Sequence, residues 1–356
     1  MSTFKKVDVP ELGLWEKADL HVSKLSIIAS ALYATLIGPF RGQSYPKKFK
    51  HHLLSLIIRN DPYSTRQKQY LDMSTPEAYE IIMKKRGLVP EQVSLPHNTE
   101  GYWIGNKSAK NVLVYYHGGG FSMAARTSHI AFWIDLIKLL NDNGHDIAVF
   151  FLRYTLTPHG TYPTQLRQVV GGLRYILNET GRSPSDVILG GDSAGGNLAM
   201  ATLLHISHPH PEIEPLKLST PLAGVFGFAP WINFSFDWPS MTENAYKDIC
   251  TSPWLKKQSD SYLAGKEGDN WSEPSRAPVE WWADSMTERI LILAGGDEIL
   301  LSPIEAFAKN IKSVFPNTTF IVGNDESHDL HLYIDAGVKE GTHTGNELRR
   351  WVAARL

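Results

Sequence analysis

The segment Gly191-Asp192-Ser193-Ala194-Gly195 sets a serine between two glycines at the end of an apolar run, and His117-Gly118-Gly119-Gly120 ends another such run upstream. A serine hydroxyl is a poor nucleophile at neutral pH. To attack a carbonyl carbon it needs a base within hydrogen-bond reach and a sharp strand-to-helix turn that keeps its oxygen clear of the backbone, which flanking glycines allow. The attacked carbonyl oxygen becomes an anion, and fixed amides at about 2.7–3.1 Å stabilise it by roughly 3 kcal/mol each. Glycines bring backbone that close without a side chain in the way. The two segments, in this order, predict an acyl-transfer site with Ser193 as nucleophile and Gly118, Gly119 and Ala194 as oxyanion donors. Phe121 and Trp231 are the expected substrate-binding aromatics, and His117 is expected to hold its loop rather than ionise. Asp192 is assigned a structural hydrogen-bonding role, because a carboxylate aimed at the reacting centre would oppose the oxyanion.

HGGGF at 117–121 followed by GDSAGG at 191–196 resembles the hormone-sensitive-lipase-like branch of the α/β-hydrolases. Arg153-Tyr154-Thr155-Leu156-Thr157-Pro158 and Tyr162-Pro163 look like that family's intervening segment, in the form associated with fungal esterases of secondary metabolism and steryl acetate hydrolases. The resemblance implies the chain order Ser, Asp, His, which places the acid at Asp297, after LILAGG, and the base at His328, after the final strand. Asp297 would orient and charge-stabilise the imidazole, and His328 would take the serine proton and return it to the leaving group. Glu298 is the rival acid; His331 and His343 are the rival bases. No cofactor is implied.

Such groups must be held by a scaffold, and apolar runs supply one. NVLVYY (111–116), IAVFFLRY (147–154), VILGG (187–191), GVFGFAP (224–230), RILILAGG (289–296) and TTFIVG (318–323) read as strands. Helical spacing falls between them, at Ile130, Trp133, Ile134 and Ile137, and from Pro163 through Leu166, Val169, Val170 and Leu173. Ser302-Pro303-Ile304-Glu305 carries the types of an N-cap, N1 and N3. Strands apolar throughout and alternating with helices predict an α/β class fold, a mainly parallel central sheet with helices on both faces. The chemistry then sits at the strand C-terminal ends.

Residues 1–90 read as a helical N-terminal cap, with a helix start at Thr75-Pro76, and 91–356 as the catalytic domain. An insertion at about 233–284, which with Trp231 holds six of the ten tryptophans, is expected either to form a lid over an apolar substrate or to pack on the sheet edge. Residues 25–40 are uncharged and short of the roughly 20 residues of a spanning helix. Helical spacing of Leu25, Ile28, Ala29, Leu32 and Leu36 predicts packing on the body, with a shallow membrane contact as the alternative.

A net charge of −2 and no basic stripe argue against a nucleic-acid partner. One cysteine, Cys250, forms no intrachain disulfide and no thiolate cluster, so no metal site is expected. Eight charges in the first 24 residues leave no apolar signal core, which points to the cytoplasm, or to the surface of the endoplasmic reticulum if 25–40 touches lipid. The expected reaction is hydrolysis of short-chain acyl esters of a bulky apolar alcohol. Alternatives on the same fold are amide or lactone opening, acyl transfer or cyclisation. A non-catalytic small-molecule receptor is a third reading, disfavoured because such receptors lose the histidine that His328 supplies here.

Overall fold

The computed structural model of the chain describes residues 9–334 and 341–356. Eight strands form one sheet: β1 (Glu91–Leu95), β2 (Thr99–Ile104), β3 (Asn111–Tyr116), β4 (Ile147–Arg153), β5 (Val187–Asp192), β6 (Gly224–Phe228), β7 (Ile290–Gly295) and β8 (Thr318–Gly323), in the order β1-β2-β4-β3-β5-β6-β7-β8. β1 runs antiparallel to β2 and β2 to β4; all other neighbours are parallel.

Every residue of β3 through β7 is buried, which is why these strands read as continuous apolar runs. Their side chains alternate between two cores. Val112, Val114 and Tyr116 face the helices Thr164–Arg174, Ser193–Ser207 and Leu301–Val314, whereas Leu113 and Tyr115 face Thr127–Asp142 and His343–Ala353. The six strands and both helix layers expected from the sequence are present.

The hairpin β1–β2 was not among the expected strands. β1 is an edge strand with little burial, and its turn places His97 and Asn98 at φ +63° and +56°, the left-handed pair of a tight hairpin. The N-cap expected at Ser302 is also displaced. The helix begins at Leu301, and the Ser302 amide donates to Ser240 Oγ at 3.0 Å.

Ahead of the sheet lie the helices Leu14–Ile37, Phe49–Arg59, Thr65–Leu71 and Thr75–Lys85. Thr75 opens the last of these after an N-cap at Ser74, whose amide is met by Glu77 at 2.9 Å. Helix Leu14–Ile37 corrects the expectation that 25–40 packs on the body: Leu25, Ile28, Leu32 and Leu36 are exposed, and only Leu20, Ser23 and Ala34 are buried. By length and composition alone this helix could cross a membrane.

Candidate active site

β5 delivers Asp192 and Ser193 to the C-terminal edge of the sheet, and the helix Ser193–Ser207 leaves from the nucleophile itself. Ser193 sits at φ +49°, a left-handed conformation that the turn imposes. The turn closes only because Gly195 has no side chain, since a Cβ there would lie 1.9 Å from the Tyr116 carbonyl oxygen. Gly195→Ala is therefore expected to cost at least about 2 kcal/mol and to lower the midpoint of thermal unfolding measurably. An unchanged midpoint would show that the turn relaxes freely.

His328 Nε2 lies 2.8 Å from Ser193 Oγ, and His328 Nδ1 lies 2.7 Å from Glu298 Oε2. Thus the structure brings Ser193 and His328 together, but not Asp297. The carboxylate on the imidazole belongs to the neighbour, Glu298. Glu298 Oε1 accepts the Gly295 amide at 2.7 Å, which folds this longer side chain inward under the histidine. Asp297 leaves the same turn in another direction, with Oδ1 3.5 Å from Lys247 Nζ. Of the rival bases, His331 is stacked on Phe228 at 3.6 Å, its pKa pushed down to about 3 by burial. His343 opens the last helix, its amide donating to Glu326.

Among the three expected oxyanion donors, Gly118 is corrected. Its amide donates to Asp192 Oδ1 at 2.8 Å and is used up. Gly119 and Gly120, at φ +107° and +59°, donate from their amides to no protein acceptor among the described residues and line the same cavity as Ser193. The Ala194 amide, in the first turn of its helix, has no intrahelical acceptor. Gly119, Gly120 and Ala194 thus offer amides with no protein acceptor among the described residues, close in space or sequence to Ser193. Asp192 holds the loop: besides Gly118 it accepts the Tyr115 hydroxyl and lies 3.3 Å from His129 Nε2. Burial opposes its charge, but His129 and the Tyr115 hydroxyl outweigh that and hold its pKa well below the usual carboxylate range. His117 is buried against Tyr154, donates from Nδ1 to the Gly118 carbonyl at 2.8 Å, and has its pKa pushed down to about 4 by burial.

A family model described as the alpha/beta hydrolase fold matches residues 113–332, a span that includes Ser193, Glu298 and His328. The chain belongs to this family.

Relatives of this hydrolase include an acetyl-hydrolase of Streptomyces hygroscopicus, 26% identical over 68% of the chain and 75% of that protein. An arylacetamide deacetylase of Bos taurus is 32% identical over 44% of the chain, and steryl acetyl hydrolase 1 of Saccharomyces cerevisiae is 30% identical over 35%. The matched parts make up 39% and 27% of those two proteins, so the chain aligns with less than half of their length. A bacterial esterase of the hormone-sensitive lipase family superposes with a TM-score of 0.67, over 87% of the chain and 99% of its own, at 22% identity. Carboxyl esterase 2 of Tuber melanosporum superposes at 0.63, over 74% of the chain and 85% of its own, at 20% identity. These two structures show the shared fold.

Around Ser193 the hydrolase encloses a cavity of about 200 Å³. Its apolar wall comes from Ile58, Met123, Ile249, Trp254, Leu332 and Tyr333. Phe121 and Trp231, the expected substrate contacts, are not on it. Phe121 is fully buried, stacked 3.7 Å from Tyr262, and Trp231 packs 4.6 Å from Phe234. Of the six aromatic residues that suggested a lid, only Trp254 reaches the cavity; Trp281 stacks on His208 and Trp282 packs on Phe307. The remaining side of the cavity is closed by Ile58, Arg59, Asp61 and Lys68 from the N-terminal helical segment.

Two acidic residues near His328 were not anticipated. Asp248 is fully buried and ties the acid and base loops together, accepting the amides of Ile299 at 2.8 Å and His328 at 3.0 Å. Asp329 places Oδ2 3.3 Å from His328 Nε2. Burial, with Asp192 and Glu298 close by, pushes the Asp329 carboxyl well above the usual carboxylate range. Burial disfavours the His328 imidazolium, but Asp329, Glu298 and Asp248 outweigh it and raise its pKa above the ordinary value. A histidine serves as general base only in its neutral form, so a raised pKa would move activity that depends on His328 toward alkaline pH. A kcat/KM profile should climb through an inflection above pH ~6.5, the unperturbed value for histidine. An inflection below that value would contradict this assignment.

Proposed function

We propose that this hydrolase is a serine carboxylesterase that transfers short acyl groups, acetyl foremost, from an alcohol to water. The observation that carries the proposal is the unbroken contact from Ser193 Oγ through His328 to Glu298, at 2.8 and 2.7 Å. In this reading His328 Nε2 takes the Ser193 proton as the oxygen attacks the ester carbonyl. Glu298 stabilises the imidazolium that forms and fixes its orientation. The oxyanion is met by the amides of Gly119, Gly120 and Ala194. His328 then protonates the leaving alkoxide, and a water molecule activated by the same histidine releases the acyl group from Ser193.

Several features support the substrate class. The cavity of about 200 Å³ lies below the ~300–1,000 Å³ of sites that enclose a drug-sized ligand, and suits a short acyl chain. Its apolar wall suits the hydrocarbon part of the alcohol. Relatives named acetyl-hydrolase, arylacetamide deacetylase and steryl acetyl hydrolase point to the same acyl group. A chain-length series of p-nitrophenyl esters tests the reading: kcat/KM should be highest for acetate to butyrate and fall at least tenfold by the decanoate. Absence of turnover throughout the series would overturn it.

A further inference from the structure

The polar groups of the cavity do not match a wholly neutral substrate. Arg59 and Arg126 both line it. Neither has a carboxylate within ion-pair distance among the described residues. Arg126 immediately precedes the helix Thr127–Asp142 and lays its guanidinium over the Tyr333 ring, 4.8 Å from the centroid, with a further contact to the Tyr333 hydroxyl. Arg59 ends the helix Phe49–Arg59, donates from one nitrogen to the Ala245 carbonyl at 3.0 Å, and lies 5.2 Å from the Tyr246 ring centroid. Aromatic faces and one carbonyl leave most of the ten N–H groups of two guanidinium forks without a charged acceptor.

The carboxylates of the cavity are engaged elsewhere. Asp61 pairs with Lys68 at 2.9 Å. Asp192 is taken by Gly118, Tyr115 and His129. Asp329 lies on the His328 side, with Oδ2 3.3 Å from His328 Nε2. The wall of the site therefore carries two guanidinium groups that have no carboxylate within ion-pair distance among the described residues, Asp72 and Asp329 acting on Arg126 and Asp248 on Arg59 only through longer-range attraction. In such a partly desolvated cleft a guanidinium fork favours a planar carboxylate, bound through two parallel hydrogen bonds.

We propose that Arg126 and Arg59 form an anion subsite that selects esters bearing a carboxylate at a distance from the scissile bond. This deepens the esterase reading and rests on it: Ser193 cuts the ester while the arginines hold the acidic end. The carboxylate keeps its charge throughout and takes no part in bond breaking.

The test compares two acetate esters of nearly identical shape, 4-acetoxybenzoate and 4-acetoxybenzamide, on the full-length protein. Wild type should prefer the acid, with kcat/KM at least tenfold higher than for the amide. Arg126→Gln should reduce that ratio at least fivefold, Arg59→Gln should reduce it too, and Arg126→Lys should retain part of it. A wild-type ratio at or below one, or a ratio unchanged in both glutamine variants, would overturn the subsite. Calorimetric binding of benzoate gives a readout that needs no turnover. Saturable binding weakened by Arg126→Gln supports the subsite even if neither ester is cleaved, an outcome that would count against the esterase reading alone. No binding of benzoate together with equal turnover of both esters would overturn the subsite alone.

Discussion

Replacing Ser193 by alanine should lower kcat for p-nitrophenyl acetate by about four orders of magnitude or more, with little change in thermal stability. In the proposed mechanism this hydroxyl forms the acyl bond, and the base that activates it sits 2.8 Å away. When members of a nucleophile–base–acid unit are removed, losses of this size are typical and do not add, so the double variant Ser193→Ala/His328→Ala should be scarcely worse than either single one. Residual turnover from the three amides would remain, because oxyanion stabilisation does not depend on the serine. Steady-state kinetics on the purified variants, with circular dichroism to verify folding, measures this directly. A Ser193→Ala form within tenfold of wild type would mean that another group attacks the ester.

The second large effect separates two adjacent carboxylates. Glu298→Gln should lower kcat by about two to four orders of magnitude, because a carboxamide neither stabilises the imidazolium nor favours the required tautomer. Asp297→Asn should stay within about threefold of wild type, since its carboxylate lies toward Lys247 and not toward His328. The Gln variant should also shift the pH profile of kcat/KM toward lower pH, because Glu298 is one of the groups that raise the His328 pKa. A variant with impaired packing would show no such shift. If Asp297→Asn proved the more damaging substitution in a folded protein, the acid assignment made from the geometry would fail.

The contrast between these neighbours shows what was legible in the sequence. Strands β3 to β7 could be found because burial on both faces forces uninterrupted apolar residues, and the Ser193 turn because such a sharp bend demands small residues at fixed offsets. Which of Asp297 and Glu298 faces the imidazole depends on a single local hydrogen bond, from the Gly295 amide to Glu298, that no spacing rule encodes. Gly118 likewise has the right residue type for an oxyanion donor, yet its amide is consumed by Asp192, a partner distant in sequence. Phe121 and Trp231 carry the aromatic signature of a substrate wall but supply core packing instead. The cavity takes its wall from Ile58, Ile249, Trp254 and Leu332, residues with no local signature, from segments distant in sequence. Asp248 had no motif to mark it, because its role of joining two loops exists only once both loops have formed. The outward-facing residues of helix Leu14–Ile37 show the same limit: helical spacing identifies an apolar stripe, and the tertiary fold decides whether anything covers it.

The most direct test of the proposed chemistry is to trap the covalent intermediate. Protein mixed with excess p-nitrophenyl acetate, quenched in acid within the first turnovers and digested, should carry one acetyl group, mapped by tandem mass spectrometry to Ser193 and missing from the Ser193→Ala form. An acetyl group found reproducibly on another side chain, or rapid release of nitrophenolate with no acyl adduct at residue 193 at any quench time, would contradict the account.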